Sequence, residues 1–223
     1  MSKVILNNFK ASGTLTAAQH KAAFGNAIVS INTPGDVLIK DSVFDEPAYN
    51  AIEIGLAAAA TPPSNVTIKN VDFSAGLTNN AITIFATQDD AVITIEDCHF
   101  ASVSNALRLS NRTNAKNVQV YIKNCTVDQW EATPEYAGFL LLQDYTSASA
   151  EDFIEKSPFA PDKLAIHFQN LKHGEQIVTP EDLTAAFGCH TADQIGYMYI
   201  DKASGTDRMP AFDADIYPAI TFE

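Results

Sequence analysis

Two short patterns of alternating apolar and polar residues recur along the chain. In the first, Asn-Ala precedes alternating aliphatic residues, and in the second an alternating segment ends on an acidic or amide residue. Copies of the first pattern begin at Asn26, Asn50, Asn80 and Asn105, and a drifted fifth copy spans Ala137–Leu141. Copies of the second pattern are Val37–Asp41, Val66–Asn70, Ile93–Asp97 and Val120–Asn124, with outlying copies at Val4–Asn8 and Ile166–Asn170. Alternation over five residues is typical of a strand with one buried face, so each copy predicts a β-strand.

The spacing of these strands predicts a solenoid. From Ile39 onward the second pattern recurs at intervals of 29, 27 and 27 residues, and the two patterns alternate along the chain. One coil cannot bury its own apolar face, so we expect the coils to stack about 4.8 Å apart.

Stacking at this register predicts three ladders of like side chains. A cysteine ladder and a phenylalanine ladder should lie in the interior, and a ladder of Asp and Asn should lie at a corner, where these residues tolerate a left-handed backbone. The interior ladders contain Cys98 and Cys125, and Phe44, Phe73 and Phe100. The corner ladder contains Asp41, Asn70, Asp97 and Asn124.

The Asn-Ala-Ile strands and the Ile-x-Asn-Cys-x-Phe turns resemble the right-handed parallel β-helix of the pectate-lyase-like superfamily. The resemblance covers about residues 26–175. It implies an all-β fold, a right-handed parallel β-helix. At the spacing of the repeat this fold has about six coils, and we expect short α-helical caps at both ends. The superfamily includes pectin-degrading enzymes, phage tailspikes and many non-catalytic phage virion proteins.

We expect three regions along the 223 residues. Residues 1–34 form an N-terminal strand and capping helix, and residues 35–178 form the β-helix, with an insert at about 128–162. Residues 179–223 form a C-terminal capping helix and strands.

Two similar segments, Thr16–Gly25 and Thr179–Gly188, predict the capping helices. Each begins with a Thr suited to an N-cap and ends with Gly. Covering the open ends of the solenoid is one role for these helices, and docking to a partner is the other.

The charge distribution narrows the classes of partner. The chain carries 14 basic and 27 acidic residues, and residues 128–223 hold 17 of the acidic ones. We therefore expect no nucleic-acid partner, because phosphate contacts need clustered Lys and Arg. No segment has the length and apolarity of a membrane helix, and Met1–Asn8 does not look like a signal peptide. We accordingly expect no membrane partner.

A catalytic or metal site is not expected. The best candidates for the catalytic residues of a polysaccharide lyase or hydrolase are Asp72, Asp97 and Arg108. However, the positions equivalent to Asp72 on other coils are not acidic. Cys98 should point inward and His99 outward, so the two cannot share one ion. We expect no cofactor and no enzymatic activity.

Aromatic residues gather after residue 128 and are candidates for binding. Trp130, Tyr136 and Tyr145 are the possible contacts to a partner or a glycan. The alternative is that the insert folds over the β-helix and buries its aromatic residues.

By analogy with the superfamily, we expect a non-enzymatic phage virion structural protein, of the capsid decoration or head-fibre type. It would assemble in the host cytoplasm as a dimer or trimer and dock on a capsid or tail protein. One alternative is a glycan-binding or polysaccharide-degrading β-helix protein of the tailspike kind. Another is a bacterial cytoplasmic scaffold that polymerises end to end.

Overall fold

A computed structural model describes residues 3–56, 62–74, 77–130, 138–180, 198–202 and 215–223. The chain folds as a parallel β-solenoid, as predicted. The described helices are α1 (Ala17–Phe24) and α2 (Ala150–Lys156). The strands are β1 (Lys3–Asn7), β2 (Lys10–Ser12), β3 (Ala27–Ile31), β4 (Gly35–Asp45), β5 (Asn50–Ile54), β6 (Pro63–Phe73), β7 (Leu77–Ile84), β8 (Val92–Glu96), β9 (His99–Ser110), β10 (Val118–Lys123), β11 (Thr126–Trp130), β12 (Gly138–Asp144), β13 (Leu164–Gln169), β14 (Lys172–His173), β15 (Gln176–Ile177), β16 (Met198–Lys202) and β17 (Ala219–Phe222).

Three faces of parallel strands run along the solenoid. The first face is the row β1, β4, β6, β8, β10, β13 and β17. The second face contains β2, the ends of β4 and β6, the start of β9, β11 and β14. The third face is the row β3, β5, β7, the end of β9, β12 and β16. Because β4, β6 and β9 each bend around a corner, neighbouring faces are joined within single strands.

The interior ladders are confirmed. The rings of Phe44, Phe73 and Phe100 stack with centroids 5.3 and 4.9 Å apart and are fully buried. Cys98 and Cys125 occupy adjacent places on the second face, where both are buried free thiols. Burial raises the pKa of the Cys125 thiol well above its ordinary value.

The corner between the first and second faces also has the predicted polar ladder. Asn70 Nδ2 donates to Asp41 Oδ1 at 2.8 Å, and Asn124 Nδ2 donates to Asp97 Oδ1 at 3.1 Å. These four residues have φ between 50° and 53°, the left-handed region in which Asn and Asp are enriched. The repeat therefore fixes both the direction of the chain and the side-chain stack at this corner.

The expected number of coils is corrected from about six to about four turns. The second sequence pattern has four regular copies, and Val4–Asn8 and Ile166–Asn170 are its outlying copies. Their strands, β1 and β13, extend the first face, but α1 interrupts the N-terminal coil between β2 and β3. At the C-terminal end, β15 turns back antiparallel to β14 instead of continuing to the third face.

The N-terminal helix agrees with its sequence signals. Thr16 caps α1 with a capping box that includes Gln19, and Gly25 follows the helix with a φ of 96°. Of the second predicted helix, Thr179–Gly188, all but the first two residues lie outside the described ranges. The expected insert at 128–162 contains β12, which completes a coil on the third face, and α2.

Candidate functional site: a groove on the third face

A groove of about 420 Å³ lies on the outer side of the third face. One end is lined by cationic and aromatic side chains, namely Phe85, Arg108, Arg112 and Tyr145. The other end is lined by amide and carboxylate groups together with a Lys–Tyr pair, namely Asn26, Asn50, Glu53, Lys21 and Tyr49. The groove thus has two chemically different ends. We call them the arginine end and the carboxylate end.

The strand register places Glu53, Thr83 and Arg108 side by side on successive coils. This row lies on the outer side of the face, because the side chains alternate with the buried Ile52, Ile82 and Leu107. Glu53 is only 5% exposed, and its Oε1 accepts a hydrogen bond from Asn50 Nδ2 at 2.6 Å. Asn50 Oδ1 in turn accepts from Asn80 Nδ2 at 3.0 Å. This asparagine ladder holds the carboxylate end in place.

At the arginine end, two guanidinium groups lie against two aromatic rings. The guanidinium carbon of Arg112 lies 4.5 Å from the ring centroid of Phe85 and 4.3 Å from that of Tyr145. The corresponding distances for Arg108 are 5.2 and 5.7 Å. All four distances are within the range of cation–π attraction. Arg108 Nη2 also donates to the hydroxyl of Tyr145. The rings therefore orient both guanidinium groups at this end of the groove.

A turn after β12 positions Tyr145. Asp144 is buried and accepts hydrogen bonds from Asn111 Nδ2 at 2.7 Å and from the backbone N of Thr146 at 2.7 Å. Asn111 Oδ1 accepts from the backbone N of Tyr145 at 2.9 Å. Burial raises the pKa of the Asp144 carboxyl, but hydrogen bonds from Ser147, Asn111 and Thr146 outweigh burial and lower the pKa overall. The ionised carboxylate therefore organises the turn at neutral pH.

A second cluster, Asp72, His99 and Asp128, lies on the outer side of the second face. His99 Nδ1 is 2.9 Å from Asp72 Oδ1, and His99 Nε2 is 2.9 Å from Asp128 Oδ2. Partial burial lowers the pKa of His99, but the hydrogen bonds and charges of the two carboxylates outweigh it and raise the pKa above its ordinary value. The three side chains join three successive coils, so we assign the cluster a structural role.

The sequence-predicted contact residues lie in different surroundings. Tyr145 lies on the groove and is 37% exposed. Trp130 is the last residue of β11, and its side chain lies outside the described part of the structure. Tyr136 lies outside the described residues altogether.

The other aromatic residues near or within the insert are buried. Phe139, Phe153 and Phe159 are each at most 3% exposed, and Phe139 stands in the core against Phe100. Burial of the insert's aromatic residues, one of the two alternatives raised by the sequence, therefore holds for these three.

Sequence reasoning did not find Phe85, Arg112, Lys21 or Tyr49 as groove residues. For Arg112, however, the repeat contained a signal. Leu109 and Leu142 are in register on the third face, and Arg112 and Tyr145 each follow three residues after one of these leucines. The equal offset places the two side chains on adjacent coils at the same corner.

The described residues contain no group of three or more His, Cys, Asp or Glu suited to hold a metal ion. In the same part of the chain, no helix has the length and apolar character required to span a membrane. Comparison of the chain with family models, with curated proteins and with solved structures found no match.

Proposed function

We propose that the chain is a non-enzymatic structural protein of a phage virion, of the capsid decoration or head-fibre type. The observation that supports this proposal is the set of ladders along the solenoid, with stacked phenylalanines inside and a hydrogen-bonded Asx ladder at one corner. Strands paired on both sides and locked by such ladders resist local opening. That property suits a protein that remains folded on the outside of a particle.

Self-association at the N-terminal end is the expected mode of assembly. Strands β1, β2 and β3 each pair with one described strand, so their outer edges have backbone groups available for a neighbour. Two large apolar side chains are exposed at this end, Ile5 at 58% and Phe24 at 70%. A second copy of the chain would cover them, in a closed dimer or trimer.

Solution mass tests the assembly. Size-exclusion chromatography with light scattering on the untagged protein should give a dimer or trimer, and Phe24→Ser should shift the mass towards the monomer. Ile154→Ser is the matched control, because Ile154 is 52% exposed but lies on α2. A monomer at every concentration would contradict self-association.

Immunogold electron microscopy tests the location. An antiserum against the purified chain should label particles recovered from a lysate of cells that carry the gene. Labelling confined to the particle-free fraction would contradict the virion proposal, whatever the solution mass.

The groove on the third face favours a second candidate function, glycan binding. It combines an exposed Tyr with cationic and amide side chains in a space of about 420 Å³, within the usual size of small-ligand sites. A glycan array should give signals with the wild-type chain that Tyr145→Ala removes. Absence of binding to any glycan would contradict this second function and leave the structural proposal intact.

A further inference from the structure

We infer that the groove binds an acidic saccharide, with a carboxylate of the sugar on Arg112 and a sugar ring against Tyr145. This inference rests on the second candidate function, glycan binding. It specifies the chemical class of the ligand and the direction in which the ligand lies.

The distribution of positive charge is the first argument. The chain has a net charge of −13, yet Lys21, Arg108 and Arg112 line one groove. Within the described residues, Arg112 has no carboxylate within ion-pair distance, although several surface lysines do. A ligand that carries a carboxylate would supply that partner.

The hydrogen bonding of Arg112 is the second argument. Its Nη1 donates to the backbone oxygen of Leu56 at 3.2 Å, which fixes the side chain. Its Nε is buried and has no hydrogen-bond acceptor among the described residues. A guanidinium group has five N–H donors in a planar fork that matches a carboxylate. The buried Nε is closed to a ligand, but Nη2 is not buried and has no acceptor among the described residues. Arg112 is therefore held in place, with Nη2 available to an anionic group.

The aromatic surface provides the place for the ring. The Tyr145 ring packs on Arg112 and keeps 37% of the residue exposed to solvent. A pyranose ring has one face of C–H bonds that packs on such a surface, while its hydroxyls remain available for hydrogen bonds. Tyrosine suits this contact because it combines an apolar ring with a polar hydroxyl and few rotatable bonds.

The carboxylate end sets the direction of the ligand. Glu53 accepts hydrogen bonds, so it can accept from sugar hydroxyls, but it repels a second carboxylate. The acidic group of the ligand is thereby directed to the arginine end and the neutral hydroxyls to Asn50 and Glu53. The same repulsion, together with the charge of −13, disfavours a polyanion such as a nucleic acid.

The test compares acidic oligosaccharides with their carboxyl-reduced counterparts, in which the carboxylate has become a neutral hydroxymethyl group. An array would pair sialylated glycans, and oligosaccharides that carry a single uronic acid, with these reduced forms, and titration calorimetry would follow the strongest pair. We expect the acidic form to bind more tightly, and raising the salt concentration to weaken it selectively.

Substitutions identify the group that reads the carboxylate. Arg112→Gln should weaken binding of the acidic form about tenfold to a hundredfold and leave the reduced form nearly unchanged. Arg112→Lys should restore part of the affinity. Lys123→Gln is the matched control, since Lys123 also lies over a Tyr ring, at 5.0 Å, but outside the groove. Circular dichroism melts would check that each variant is folded.

The outcomes separate the two levels of the proposal. Equal affinity for the acidic and reduced forms would overturn the acidic specificity and leave glycan binding in place. No binding to any saccharide would overturn both. Equal losses in Arg112→Gln and Lys123→Gln would overturn the assignment of Arg112.

Discussion

At the scale of single residues, the left-handed corner depends on the choice of Asn or Asp. Six residues there, Asn8, Asp41, Asn70, Asp97, Asn124 and Asn170, have φ between 50° and 53°. In this conformation the Cβ of an ordinary residue crowds the following carbonyl oxygen, while short Asx side chains offset the cost by local hydrogen bonds. Each turn of the chain at this corner therefore requires one residue, Asn or Asp, that tolerates the left-handed backbone.

Replacement of Asn70 tests this requirement. Asn70→Ala should lower the free energy of unfolding by about 1–2 kcal/mol, because it adds left-handed strain and removes the hydrogen bond to Asp41. Asn70→Gly loses the same hydrogen bond without the strain and should cost less. Thermal denaturation measures both, and equal losses would show that backbone strain is not the cause.

His99 gives the solenoid a pH-dependent contact. Because its pKa is raised in the folded state, its contribution to stability is fully present below the unfolded pKa of about 6.5 and is lost as the pH rises through the folded pKa. His99 is 43% exposed, so after solvent screening we expect about 0.5 kcal/mol.

Urea denaturation at pH 6 and pH 8.5 measures this contribution. The wild type should lose more stability between the two pH values than His99→Gln, which keeps a hydrogen-bonding side chain without the charge. The same pH dependence in both proteins would mean that another group titrates.

At the scale of elements, the stack of phenylalanines joins the strands of adjacent coils. Phe73 lies between Phe44 and Phe100 and is fully buried. Phe73→Ala should destabilise the protein by about 3–5 kcal/mol, since it leaves a cavity in the middle of the ladder. Ile177→Ala removes an apolar side chain that is 61% exposed and should change stability by less than about 0.5 kcal/mol. Comparable losses in chemical denaturation would contradict the ladder as a main source of stability.

The ladders could be predicted from the sequence because the register repeats. Once Ile39, Ile68 and Ile95 are aligned, every neighbour at a fixed offset is placed as well. The same alignment places His99 beside Asp72. Only a stack of acidic residues was expected to form a site, so this pair of a histidine and a carboxylate was not recognised. The groove was harder, because Phe85 follows a third-face strand in a segment whose path has no repeat, and because the equal offset of Arg112 and Tyr145 links only two coils. The predicted number of coils was wrong because the regular repeat does not extend to the two ends of the solenoid.

At the scale of the whole molecule, the uneven charge bears on docking. Residues 128–223 carry 17 acidic and 5 basic residues. If this region docks on a basic surface of a capsid or tail, binding should weaken as salt rises through physiological values, since the Debye length falls to about 8 Å there. Co-sedimentation of the purified chain with particles at several salt concentrations would measure this. Attachment that is insensitive to salt would count against docking through the acidic region.

The three corners of a coil differ in how much length they accommodate. The corner between the first and second faces turns on a single Asx residue each time. The connection from the third face back to the first varies, from the short segment between Ile31 and Gly35 to the one between Asp144 and Leu164 that contains all of α2. Arg112 and Tyr145 lie in these variable connections. Loops of new length grafted into these connections should therefore leave the stacked frame of the solenoid intact.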